Sequence, residues 1–381
     1  MMNKLLLILN YMYLYIYMLD AYRILSSSIY LRTVILLVIL CISLFKIVKD
    51  LVQSKIQKIT ILMLVYLLYF LVTQKFLGEL TLTNVIMISY APIMFIAFSQ
   101  FKINPNFFEK VSFGYILVVS VTYFFSRIVL GLNHGLVINS CYYLLLSIPS
   151  IYRFKSKKLK VFSFILVSAI VFFSMKRTAL IVLLSVGLIN FLLNIARNRK
   201  VNLRKLTVFA PVLVLMSLFI FLINQIIKAI YSRNIFDRFV MSEVPQNEGR
   251  IFLVKQLTEI FFRDSSLENV FFGRGLNATA LFTTNGLTAH NDFIEVLFNF
   301  GLIGLVLYLC IYIYMIKAIM NSKRKNKDTR PFLAVFTIML LVSLSSHLIF
   351  IPTYISILIL NLSYKNVSEV NNEENRNIDV S

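Results

Sequence analysis

Runs of roughly 15 to 20 apolar residues recur from one end of this 381-residue chain to the other, with short polar connections between them. Each run is long enough, at 1.5 Å rise per residue, to cross a hydrocarbon layer of about 30 Å as a helix. Barrel strands are excluded by pattern. They alternate apolar and polar residues, whereas these runs are apolar on every side. The rest of the composition agrees. The chain is 59% hydrophobic and 14% charged, with a mean hydropathy of +0.81. A soluble domain carries nearer a quarter charged residues. The spacing predicts an all-α polytopic membrane protein of about 12 spans, at roughly 4–19, 30–45, 59–73, 83–99, 112–130, 136–152, 159–175, 178–196, 206–227, 292–316, 332–348 and 350–363. Residues 1–365 form one membrane domain, and the polar tail 366–381 reads as disordered. The apolar run from Leu5 to Leu19 has no small-x-small cleavage site behind it, so it reads as the first span and not as a signal.

The net charge of +21 raises nucleic acid as a partner, and its distribution excludes it. The basic residues sit in short loops, without interleaved aromatic or glycine-rich binding motifs. They also alternate. Connections near 46–58, 102–110, 153–160, 197–205 and 317–330 are rich in Lys and Arg; the short connections between them hold only Arg23, Arg32, Lys75, Arg127, Lys176 and Arg177. Positive-inside bias puts the first set and both termini in the cytoplasm. Cys41, Cys141 and Cys310 lie far apart in apolar runs, and they read as small core residues rather than disulfides or metal ligands. Tryptophan is absent, so tyrosine would have to supply any aromatic belt at the membrane interface.

One connection is long. It runs from about 228 to 291 on the outer side, and its apolar content is too high for a disordered linker. Within it, Ile251, Val254, Leu257 and Phe261 recur near a 3.6-residue period, which predicts an amphipathic helix lying on the membrane or packed on the bundle.

The candidate chemistry gathers at outer helix starts. Arg177 sits in the tight turn between two spans, Arg250 opens the amphipathic helix, and His290, Asn291 and Asp292 stand where the long loop re-enters the membrane. A cation at a helix N-terminus is unfavourable by about 0.3–1 kcal/mol unless an anion is shared there. Free N–H groups with arginine forks suit a diphosphate. A histidine there stays neutral and is fit to act as a base or donor. The bland alternatives are an Arg177 that contacts lipid phosphate and an interfacial His290 with its hydrogen bonds satisfied. His134 and His347 belong to that second kind. Gly273-Arg274-Gly275 lacks the third glycine of a nucleotide loop.

Taken in order, these motifs resemble the O-antigen polymerase and O-antigen ligase family. The residues are Gly273-Arg274-Gly275, then Ala289-His290-Asn291, then Phe300-Gly301-Leu302-Ile303-Gly304. Ser174-Met175-Lys176-Arg177-Thr178-Ala179-Leu180 is similar to the family's arginine turn, with one extra residue before the arginine. Asn247-Glu248-Gly249-Arg250 looks like its loop arginine, without the tryptophan often found after it. The resemblance covers about 170–316.

It implies a GT-C-like, metal-independent transferase without cofactor in the bacterial inner membrane. Such an enzyme moves an oligosaccharide from undecaprenyl diphosphate at the outer face. His290, Arg250 and Arg177 would be catalytic. Lys176, Arg127 and Arg274 would be secondary anion contacts, and Asn291, Asp292 and Glu295 would support the substrate, the two acids being runners-up for the base or, equally, groups that hold the histidine or an arginine in place. A chain-length regulator is a further implied partner. Polymerase is preferred over ligase. A lipid-linked oligosaccharide flippase is the competing class, but transporters place charge at mid-membrane, which this chain scarcely does.

Overall fold

The computed structural model describes residues 2–21, 28–52, 58–79, 81–99, 102–132, 138–174, 176–197, 248–263, 266–283, 286–324, 327–346, 351–363 and 365–366. The expected span 206–227, the tail 367–381, His134 and His347 lie outside them. The described part is helical, apart from one two-residue parallel bridge.

The helices follow the apolar runs. They are α1 (Met2–Ala21), α2 (Ser28–Val52), α3 (Lys58–Leu77) and α4 (Leu82–Ser99), then α5 (Pro105–Phe124), which continues as a π-helix over Phe125–Val129. Asn104 caps α5, and Pro105 sits in its first turn, where a missing N–H costs nothing. Next come α6 (Cys141–Leu145), α7 (Ile148–Tyr152), α8 (Lys157–Ser174) and α9 (Arg177–Arg197). The outer loop contributes α10 (Glu248–Arg263), α11 (Leu267–Phe272) and α12 (Ala278–Phe282). The chain closes with α13 (Asp292–Arg324), α14 (Arg330–Ser343) and α15 (Pro352–Ser363).

Among the described residues, four helical stretches are long and apolar enough to cross a membrane: Tyr30–Lys49, Ile59–Leu77, Pro105–Val129 and Asp292–Arg324. Several others are apolar but shorter, including Leu82–Phe98, Arg177–Leu193 and Arg330–Ser343. The expected span 136–152 is a pair of short helices with a break at Leu146 and Ser147. Pro149 lacks the N–H needed to carry a helix across that break. The expected last pair is uneven. α15 has 12 residues, a rise of about 18 Å, and lies inside the bundle against α1, α4 and α14. Ile357, Leu358, Ile359 and Leu360 are all fully buried, so it is apolar all round because it is core.

The bundle sorts its connections to two ends. At one end Glu109 accepts the backbone N–H groups of Lys155 and Ser156, and Arg153 donates to the Asn361 carbonyl at 2.6 Å. Lys102 and Ile103 pair there with Lys365 and Asn366. These are the Lys/Arg-rich connections and the start of the tail. At the other end the α3–α4 turn meets the outer loop. Gln74 Oε1 accepts the Leu276 N–H at 2.6 Å, and Gly78 lies under Gly275.

Tyrosine does internal work. Tyr66, Tyr90, Tyr123 and Tyr308 are almost fully buried, and Tyr11 and Tyr90 staple α1 to other helices through Ser112, Ser150 and Asn10. Of the cysteines, Cys141 is core and Cys310 half-buried, while Cys41 is exposed on the surface of α2.

Candidate functional site

The outer loop is folded onto α13 by its glycines. Gly273 has φ 81° and ψ −157°, and Gly301 has φ 65° and ψ −169°. Both lie in a region that only glycine occupies readily. The two backbones touch. A Cβ on Gly273 would stand 2.3 Å from the Phe300 nitrogen, and one on Gly301 would stand 2.3 Å from the Phe271 carbonyl. At this crossing the Asn299 carbonyl accepts the N–H groups of Arg274 (3.0 Å) and Gly275 (2.8 Å). Gly301 kinks α13, and Tyr69 donates to the Phe300 carbonyl at 2.8 Å. The two glycine motifs are therefore the halves of one clasp.

His290 is the next strained position, with φ 53°. A non-glycine residue there needs its neighbours to hold it. Behind it, the Ala289 N–H donates to Glu295 Oε1 at 2.5 Å. Glu295 Oε2 accepts the Thr279 hydroxyl at 2.6 Å and the Asn299 amide at 3.2 Å, while Asn299 Oδ1 accepts the Thr279 N–H. Ahead of it, Asn291 is the cap of α13. Its Oδ1 accepts the N–H groups of Phe293 and Ile294, and its Nδ2 donates to the Leu344 carbonyl at 3.2 Å. Asn291→Ala removes the cap and this tie, a loss of about 1–2 kcal/mol that lowers the midpoint of thermal unfolding in detergent. Asn291→Asp keeps the cap and loses only the tie, so its midpoint falls less.

The remaining candidates divide. Asp292 is fully buried and accepts the hydroxyls of Ser343 (2.7 Å) and Tyr308 (3.3 Å). Glu295 is 3% exposed, with donors on both oxygens. Arg274 stacks on Phe282 and Phe298, its guanidinium carbon 4.4 and 5.0 Å from the ring centres. Arg127 is buried in the π-helix and reaches the Leu132 carbonyl, with Cys141 in electrostatic range of it and of Lys176. Lys176 is half-buried and Arg177 exposed, and Arg177 is the first residue of α9. Arg250 falls in the first turn of α10, with its side chain outside the described residues.

α9 packs on α14, and Val186, Leu193, Arg330 and Thr337 line one cleft between them. Leu344, which Asn291 holds, follows the last residue of α14.

The predicted amphipathic helix is present as α10, with Leu257 and Phe261 of the expected stripe buried and Leu253 in place of Val254. Leu253, Leu257 and Phe261 are buried, with Val254 and Ile260 at the margins. Leu257 and Phe261 join Ala278, Ala289 and Phe298 in a small second core, so α10 packs on the loop and α13. Phe252 and Phe262 remain exposed. Sequence reasoning did not single out Gln74, Thr279 or Asn299. The legible signal was Glu295 and Asn299 one helical turn apart, on one face.

Among the described residues no three His, Cys, Asp or Glu side chains gather as a metal cradle. No curated protein matches the chain. The family model described as O-antigen ligase matches residues 162–309, a stretch that runs from α8 to the first half of α13. It contains Arg177, Arg250, the glycine clasp and His290, and over this segment the chain is similar to the O-antigen ligase family.

Proposed function

We propose that this chain is an O-antigen repeat-unit polymerase. It transfers an oligosaccharide from undecaprenyl diphosphate to the terminal sugar of a second lipid-linked unit, at the outer face of the bacterial inner membrane. The observation that carries this reading is the placement of the family segment. Its motif residues fall on three helix starts, those of α9, α10 and α13. In this reading about 12 spans form a GT-C-like scaffold, with both termini cytoplasmic.

An acceptor hydroxyl attacks the anomeric carbon, the carbon–oxygen bond to the diphosphate breaks, and the lipid diphosphate leaves with the electron pair. Its charge needs cations, which Arg177 and Arg250 provide as preorganised electrostatic stabilisation. His290 takes the proton of the acceptor hydroxyl. Asp292 and Glu295, both committed to internal donors, support this turn. No metal or cofactor is required by these steps.

Deletion of the gene tests the product. Surface polysaccharide on a gel collapses to core bearing a single repeat unit if the chain is the polymerase. Bare core with accumulating lipid-linked polymer identifies the ligase instead, and single units trapped in the cytoplasmic leaflet identify a flippase. His290→Ala, at normal membrane level, abolishes polymer; wild-type polymer length would sink the assignment of the base.

A further inference from the structure

His290 stands in a conformation that its own side chain disfavours, so something else must fix it. Three donors, two from the loop and one from α13, converge on one buried carboxylate. Ala289, next to His290, gives its N–H to Glu295 Oε1. Thr279 gives its hydroxyl and Asn299 its amide to Oε2. All four residues are buried, with Ala289 and Asn299 1% exposed and Thr279 fully buried. The carboxylate therefore turns inward, and its oxygens face loop donors rather than the acceptor side.

From this arrangement we infer that Glu295 is a positioning residue for His290, acting through the Ala289 backbone. The inference rests on the reading of His290 as the base. Glu295 closes the turn from behind while Asn291 closes it from ahead, and the chain between them has one conformation. Asn299, one helical turn further on, carries the same fixing to the glycine clasp through its carbonyl, which accepts Arg274 and Gly275. A charged acceptor suits this task. Charge-assisted hydrogen bonds are about twice as strong as neutral ones, and one carboxylate serves three donors at once. Without it the Ala289 N–H and the Thr279 hydroxyl are buried without an acceptor, and the His290 imidazole is released from its place. A displacement of about 1 Å at a base costs on the order of a hundredfold in rate.

The test uses the full-length protein in nanodiscs, with undecaprenyl-diphosphate-linked repeat units as both donor and acceptor. Turnover is read by a radiolabelled endpoint sensitive enough for crippled variants. Glu295→Ala is expected to lower kcat about a hundredfold, with KM for the lipid-linked unit within twofold. Glu295→Gln, which keeps an oxygen for Ala289, recovers at least tenfold of that loss. It also carries the test should the alanine variant unfold. The deciding measurement is the cycle with His290→Ala. In that background Glu295→Ala causes no further loss, because the group it positions is gone. A full additional loss there, or a Glu295→Ala enzyme within threefold of wild type, overturns the inference. A His290→Ala enzyme with wild-type kcat refutes the base assignment itself, which is a different failure and is read from a different variant.

Discussion

Replacing Gly301 with alanine removes surface polymer and leaves a protein that unfolds at markedly lower temperature. Two costs combine. The backbone at φ 65° and ψ −169° is one that alanine adopts only at about 1–3 kcal/mol. The new methyl would also stand 2.3 Å from the Phe271 carbonyl, where the contact atoms are main chain and have no rotamer to change. The clasp must part. With it go the hydrogen bonds from Arg274 and Gly275 to Asn299, each worth about 1 kcal/mol. The sum is several kcal/mol, a large share of the 5–15 kcal/mol that holds a typical domain folded. Gly187, inside α9, is the control. A Cβ there meets nothing within 4 Å, and Gly187→Ala is expected to be neutral or stabilising by up to about 1 kcal/mol. Thermal unfolding of detergent-solubilised protein compares the two. A Gly301→Ala protein that melts within two or three degrees of wild type and still makes polymer would show that the clasp is dispensable.

Arg177→Ala produces a comparable loss of product by the opposite route. The side chain is exposed at the first residue of α9, so its removal disturbs no core, and the melting midpoint stays where it was. In the proposed reaction, what goes is a cation that stabilises the leaving diphosphate. Losses of one preorganised electrostatic group are typically 10²- to 10³-fold in kcat, or about 3–4 kcal/mol of transition-state stabilisation. Arg177→Lys restores part of this. A lysine supplies the charge as a point but lacks the planar fork that grips two phosphate oxygens together. Product formation within threefold of wild type for Arg177→Ala would return this residue to the plainer role of an arginine that contacts lipid headgroups.

The helices were legible because apolar runs of this length have one good solution in a hydrocarbon layer. Arg177, Arg250 and Asp292 were legible as helix starts for a related reason, since a polar turn between two such runs has few places to be. The glycine motifs were legible as a pattern and opaque as a structure. Nothing local in Gly273-Arg274-Gly275 says that its partner is Gly301, because the need for glycine arises only where two backbones cross. Glu295 is a similar case. As a residue type in the first turn of a helix it reads equally as a base or as a group that holds the histidine or an arginine, and burial with three donors, which only the tertiary fold supplies, favours the second. α15, a shorter apolar helix than the four long ones, is the reverse case. A helix apolar all round looks the same in sequence whether lipid or protein surrounds it.

The kink at Gly301 divides α13 into two mechanical parts. The residues before it, from Asp292 to Phe300, are bound to the loop through Glu295 and Asn299, with Asn291 tied to the end of α14; those after it form the long apolar stretch. A bilayer thicker or thinner than the protein's own is accommodated by helix tilt. In α13 that tilt is taken up below the joint. Tilt taken up there would leave the turn that carries His290 in its orientation against the loop, whatever the acyl-chain length of the membrane.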